Sequence, residues 1–174
     1  MMGRSAAKRQ MARRSGVALA LAMLWAGSAA CAAEGPVPRV YDVEATYEDV
    51  RSDLENAIIN RGFMIDHVGQ LNAMLERTAD VVADGLPKGA ASPYKSAEYF
   101  QFCPVKLTHE AVRASPLAIA NCPVSIFVFE TAAEPGKIRV GYRFPPATTS
   151  NELREVNEKL VGLLDAIAKE AAAK

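Results

Sequence analysis

Two strand-like runs joined by Glu134-Pro135-Gly136 constrain this chain more than any other feature. Val124 to Phe129 is almost wholly apolar, the pattern of a strand covered on both faces or central in its sheet. After the turn, Ile138, Val140, Tyr142 and Phe144 recur at every second position, the period of a half-buried strand. Between the runs, Pro presets φ and Gly supplies the positive φ that a type II turn requires. Strands joined by so tight a connection run antiparallel. A strictly alternating fold with an all-parallel sheet is thereby excluded.

The remaining elements follow from periodicity. Val40 to Thr46 reads as a first strand. Thr46 or Tyr47 then opens a helix with Glu48 and Asp49 in its first turn, where negative charge suits the helix dipole. Val50, Leu54, Ala57 and Ile58 form its buried face, and Gly62 is expected at C′. Phe63 to Val68 is strand-like, and Leu71, Met74, Leu75, Thr78 and Val82 make a second helical stripe. Residues 84–93, rich in Gly, Ala and Pro, form a loop, and Glu98 to Cys103 is a strand with Phe100 and Phe102 on one face. A short helix over about Thr108–Ala114 has Thr108 as its N-cap and Leu107 with Val112 as a staple. Pro145-Pro146 stops the sheet. Thr149 and Glu152 make a capping box for a last helix, whose stripe is Leu153, Val156, Leu160, Leu163, Leu164 and Ile167. The order β-α-β-α-β-α-β-β-α specifies an α+β fold: a small antiparallel or mixed sheet with helices mainly on one face.

The N-terminus carries a different message. Residues 1–33 hold five basic residues (Arg4, Lys8, Arg9, Arg13, Arg14) and no acidic one. An apolar run from Val17 to Gly27 follows, then small residues up to Ala33. A membrane-spanning helix needs roughly 20 apolar residues, so this run is too short, and its three parts are those of a secretory signal. Arg13-Arg14 also fits a twin-arginine signal, and Ser28-Ala29-Ala30-Cys31 resembles a lipoprotein box that would acylate Cys31. Simple cleavage is the leading expectation, with the mature domain in the periplasm or outside a bacterial cell. Removing residues 1–33 leaves 141 residues, with 15 basic against 20 acidic, a net charge of −5. That size suits one domain. The parse is signal 1–33, first-strand segment 34–46, main domain 47–146 and C-terminal helix 147–174. No basic cluster follows the signal to track phosphates, which argues against nucleic acid as a partner. No later apolar run approaches spanning length.

From Tyr47 to Pro145 the chain resembles the family named domain of unknown function 302. The likeness is carried by Asp49-Val50 to Arg61-Gly62-Phe63, by Tyr99-Phe100-Gln101-Phe102-Cys103-Pro104, by Asn121-Cys122-Pro123 and by Gly141-Tyr142-Arg143. Where simpler members read Cys-Asn-Pro and Pro-Cys, this chain has Cys103-Pro104 and Cys122-Pro123. The resemblance implies an α+β fold of a small antiparallel sheet with helices, and a homodimer, for which the unpaired sheet edge is a plausible contact. It implies no activity.

Signatures of common catalysis are missing: there is no P-loop, no G-x-S-x-G, no H-E-x-x-H and no C-x-x-C. The residues with chemistry to offer are Cys103, Cys122, His109 and, more weakly, His67. The two cysteines flank the short helix. In an oxidising compartment they could pair structurally, stay as packing thiols, or serve redox or metal chemistry, and sequence leaves all three open. His109, expected at N1 of its helix, would be kept neutral by the dipole, as a third ligand must be. His67 alternates with Asp66 on a strand, so the two cannot form an adjacent pair. Asp49, Asp53 and Glu55 read as a solvated helix face; Tyr94, Tyr99 and Tyr142 are amphipathic and could line a groove, with packing the commoner use. The leading expectation is a non-enzymatic domain that binds a small ligand or a protein partner, with no cofactor by default. The alternative is a thiol-redox protein, or one holding a soft metal or haem, that uses Cys103 and Cys122.

Overall fold

The hairpin occupies the middle of the molecule. A computed structural model describes residues 37–79, 81 and 92–174. The segment 1–33 expected to be a signal, Cys31 within it, Val82 and most of the expected 84–93 loop lie outside the described residues. The five strands are β1 (Arg39–Glu44), β2 (Ile65–Gln70), β3 (Tyr94–Phe102), β4 (Val124–Thr131) and β5 (Lys137–Tyr142). They form one sheet in the order β1-β5-β4-β3-β2, with every neighbouring pair antiparallel. The apolar run of β4 is thus the central strand, one of the two readings its composition allowed. At the turn, Gly136 has φ of 86° and the Lys137 N–H donates to the Glu134 carbonyl at 3.2 Å, as a type II turn requires.

Four α-helices complete the fold: α1 (Tyr47–Ile59), α2 (Leu71–Thr78), α3 (Val105–Ala114) and α4 (Asn151–Ala171), with a 3-10 helix at Pro116–Asn121. Alternation in the strands decides where α1 and α4 pack. Ile126 and Val128 of β4, Ile138, Val140 and Tyr142 of β5 and Phe100 and Phe102 of β3 are buried on one face. They pack with Val50, Leu54, Ala57 and Ile58 of α1 and with Leu160, Leu164 and Ile167 of α4. Burying that much aliphatic surface is the main stabilising term of the fold. A smaller cluster, Ala111, Ala118 and Val156, fastens α3 and the 3-10 helix to α4. The antiparallel α+β architecture is the one the sequence implies. Among the described residues, no helix is long and apolar enough to cross a membrane.

Several boundaries differ from expectation. The third helix starts at Val105, with Pro104 as its cap and Thr108 inside it, its N–H donating to the Pro104 carbonyl at 2.9 Å. Pro104 has no N–H to leave unsatisfied at the start of a helix, and the first turn closes on its carbonyl, which places Thr108 inside the helix. The expected Leu107–Val112 staple therefore does not exist. At the last helix the cap is Ser150 rather than Thr149. Its side chain accepts from the Leu153 N–H at 3.3 Å, and Glu152 accepts from its hydroxyl at 2.8 Å. Gly62, at φ 77°, falls one residue beyond C′, because Asn60 is the cap of α1. Strand β3 begins at Tyr94, four residues earlier than its alternation suggested. Among the described residues of the second helical stripe none is buried, and Met74 is exposed.

Candidate functional site

Strongly displaced ionisations are the usual pointers to chemistry, and here they are consumed by structural tasks. Asp165 of α4 accepts from the hydroxyls of Tyr41 and of Tyr142 (3.0 Å) and pairs with Lys169 at 2.7 Å. The Lys169 hydrogen bond, then that of Tyr41, draws the Asp165 carboxyl down to about 2. Burial, then the neighbouring Asp165, pushes the Tyr142 hydroxyl up to about 12. This network fastens α4 to β1 and β5. Glu130, buried on β4, accepts from the Gly136 N–H at 2.8 Å and from Lys95 at 3.0 Å. The Gly136 bond is the main reason that its carboxyl lies below the usual range. It clips the hairpin turn back onto its own strand. Arg51 joins Glu55 and Glu98 (3.1 Å) and lies over the Phe100 ring at 5.2 Å. The α1 face is therefore an ion-pair face at Arg51 and Glu55, and Asp53 pairs with Lys174. The Tyr47 hydroxyl is buried with no partner among the described residues, and burial raises its pKa.

The sequence candidates separate into two groups. Cys103 and Cys122 meet, with Cα atoms 5.7 Å apart, and are joined as a disulfide. So paired, neither sulfur is a thiolate, the form that attacks or ligates. Thr108, not His109, approaches this bridge, its hydroxyl lying 3.8 Å from the Cys122 sulfur. His109 is the fifth residue of α3 and exposed. The dipole argument for its neutrality rested on the N1 position and falls with it. His67 is exposed on β2, where Asp66 is the extra residue of an irregularity in the register, and its ring lies 5.9 Å from that of Tyr99.

Two further features were missed in the sequence. The first is the second face of the sheet, opposite α1 and α4. Tyr99 of β3 and Phe127 of β4 are register partners there, Phe129 lies 6.0 Å from Phe127, and Tyr94 stands edge-on to Phe129 at 5.6 Å. With His67 these rings form a band across three strands, none of them fully buried. Two glycines seat it. A Cβ on Gly69 would strike the Tyr99 ring, and one on Gly141 would strike the Arg39 carbonyl and sit 2.6 Å from the Phe127 ring. The absent side chains let both rings lie flat on the neighbouring strand. Helix α2 borders the band at Tyr99 through Met74 and Arg77. The alternation of Phe127 and Phe129 against Ile126 and Val128 was the available signal; with both sets apolar, the strand read as simply central or covered.

The second feature is a cleft of about 400 Å³ at one end of the sheet. Its lining includes Val124 and Ser125 on β4, the Arg143–Pro146 segment after β5, and Leu160 and Leu164 of α4. The β4–β5 register ends at Ile126↔Tyr142, while Val124 and Ser125 remain paired to Phe102 and Gln101 on β3.

A family model described as domain of unknown function DUF302 matches residues 39–170. The chain belongs to the DUF302 family. The match is wider than the Tyr47–Pro145 stretch that carries the sequence motifs, and takes in β1 and most of α4. A crystal structure of an uncharacterized conserved DUF302 protein from Bacillus stearothermophilus is similar, at 15% identity and a TM-score of 0.62. The likeness covers 77% of this chain and 97% of that one. At that identity the DUF302 neighbour establishes the fold and nothing finer. No curated protein matches the chain.

Proposed function

We propose that this DUF302 chain is an exported, non-enzymatic binding domain that works as a homodimer, two copies meeting through the ring bands of their sheets. The band carries the reading. An antiparallel sheet with one packed face ordinarily turns polar residues outward. Here Tyr94, Tyr99, Phe127 and Phe129 stand on the outward face, and glycines at 69 and 141 flatten two of the rings. Contiguous aromatic surface of this kind is what protein interfaces are enriched in. The dimer itself is what the family resemblance implies. The absence of an enzymatic role is supported by the employment of Asp165, Glu130 and the two cysteines in holding the fold. Export is supported by the signal-like segment 1–33, with the periplasm or cell exterior as destination.

Light scattering on residues 34–174 at micromolar concentration tests the assembly. Twice the monomer mass is expected, and Phe127→Ser should return the monomer with its secondary structure intact. A monomeric parent at high concentration would remove the dimer. A dimer indifferent to Phe127→Ser would move the contact from the face to a sheet edge.

A further inference from the structure

The cleft beyond the end of the β4–β5 ladder has an origin in the sequence. Pro145 and Pro146 cannot donate to a ladder, so β5 departs after Tyr142 while β4 runs on beside β3. In an antiparallel strand, alternate residues turn their N–H and C=O groups to opposite neighbours. One residue of the pair Val124 and Ser125 therefore directs both groups to the side that β5 has vacated. A gap in a ladder normally leaves such groups to water or to a ligand.

The charge in the cleft is one-sided. Arg143 is the single charged residue among its described lining residues. It forms no ion pair among the described residues, and neither does Arg39, whose guanidinium lies 5.7 Å over the ring of Phe144. Arg51, Arg61 and Arg139 each face a carboxylate, whereas Arg77, Arg113 and Arg154 share the unpaired state; of the unpaired arginines, Arg143 is the one that lines this cleft. The rest of the described lining is mainly apolar and includes Leu160, Leu164 and Phe144. A mainly apolar lining with one exposed, unpaired cation suits a small amphipathic anion. A planar carboxylate matches the fork of a guanidinium in a two-bond geometry.

We infer that this cleft binds a small carboxylate with an apolar tail, the carboxylate on Arg143 and the tail over Leu160 and Leu164. The site shares no residue with the ring band, so it stands or falls independently of the dimer.

Sodium octanoate is the probe, titrated into isotopically labelled residues 34–174 and followed by amide resonances, with octylamine as the cationic counterpart. Saturable shifts at Ser125, Phe144 and Leu160 are expected with octanoate and not with octylamine. Arg143→Gln should weaken octanoate at least tenfold, Arg143→Lys should restore part of the loss, and Arg113→Gln on α3 should leave binding unchanged. The inference is overturned if octanoate produces no saturable shift at millimolar concentration, or if octylamine binds as well. It is equally overturned if Arg143→Gln binds like the parent, or if the shifts map to Tyr99 and Phe127 instead.

Discussion

Asp165 receives two tyrosine hydroxyls and one ammonium, and its side chain is 22% exposed, so its charge is partly shielded from solvent. Its folded-state value near 2 lies below the ~3.9 of an unfolded Asp. A depressed carboxyl contributes stability that is fully present above about pH 4 and is lost as pH falls toward 2. Asp165→Asn should therefore cost about 1–2 kcal/mol at pH 7, where charge-assisted bonds are lost, and almost nothing near pH 2. Urea unfolding of both proteins across that range reads the difference; a gap that does not narrow on acidification would show the charge to be irrelevant. Sequence could not reveal this contact. Tyr41 and Asp165 are 124 positions apart, and an Asp on the rim of a helical stripe reads as ordinary solvated surface. The flattened rings were hidden for a similar reason. A glycine within a strand signals a close approach, but not which ring makes it. Gly141→Ala sets a Cβ against the Arg39 backbone, which cannot swing aside, and should cost about 1–3 kcal/mol by overpacking. An unfolding midpoint within error of the parent would show that the strands can part at no cost.

Elements were legible wherever two signals agreed. In α4 the stripe of Val156, Leu160, Leu164 and Ile167 is buried as its spacing required. In α1, Thr46 caps the Asp49 N–H at 3.2 Å and the four apolar positions are buried. The hairpin stood on a turn with its own chemistry. Boundaries failed where signals competed, as at α3, where a good capping residue at Thr108 concealed the start at Val105. That misplacement carried a functional error with it, since the case for His109 depended on an N-cap at Thr108, four residues beyond the real one at Pro104. Within α4, Gly162 interrupts an otherwise strong helix former, and a Cβ there meets nothing within 4 Å. Gly162→Ala should stabilise the protein by about 0.5–1 kcal/mol, since glycine loses more backbone entropy in a helix than alanine does. The thermal midpoint is the readout, and a decrease would mean that the position contacts something beyond the described residues.

For the molecule as a whole, the cysteine pair is the contact that sequence posed and could not decide. Both cysteines border the short-helix region, one after β3 and one before β4, but a helix of uncertain start left the path between them undetermined. The answer lay in the 3-10 helix, unforeseen in the sequence, which turns the chain back so that the Cα atoms stand 5.7 Å apart. The bridge closes a loop with a sequence separation of 19, containing α3 and the 3-10 helix. Closing a loop of about twenty residues contributes about 3 kcal/mol by the chain-entropy estimate. Besides the bridge, the segment is held by Ala111 and Ala118 buried against Val156 of α4, by the partly buried Leu107 and Val112, and by the Glu110–Lys159 pair at 2.8 Å. Reduction should therefore lower the unfolding free energy by about 3 kcal/mol and act first on this segment. Amide exchange with and without reductant is the measurement. Protection in Val105–Ala114 should fall well before that of β4 and β5, which keep their ladder and core without the bridge. Free-thiol titration of unreduced, denatured residues 34–174 should find none. Two titratable thiols, or an unfolding free energy indifferent to reductant, would return Cys103 and Cys122 to the status of packing residues.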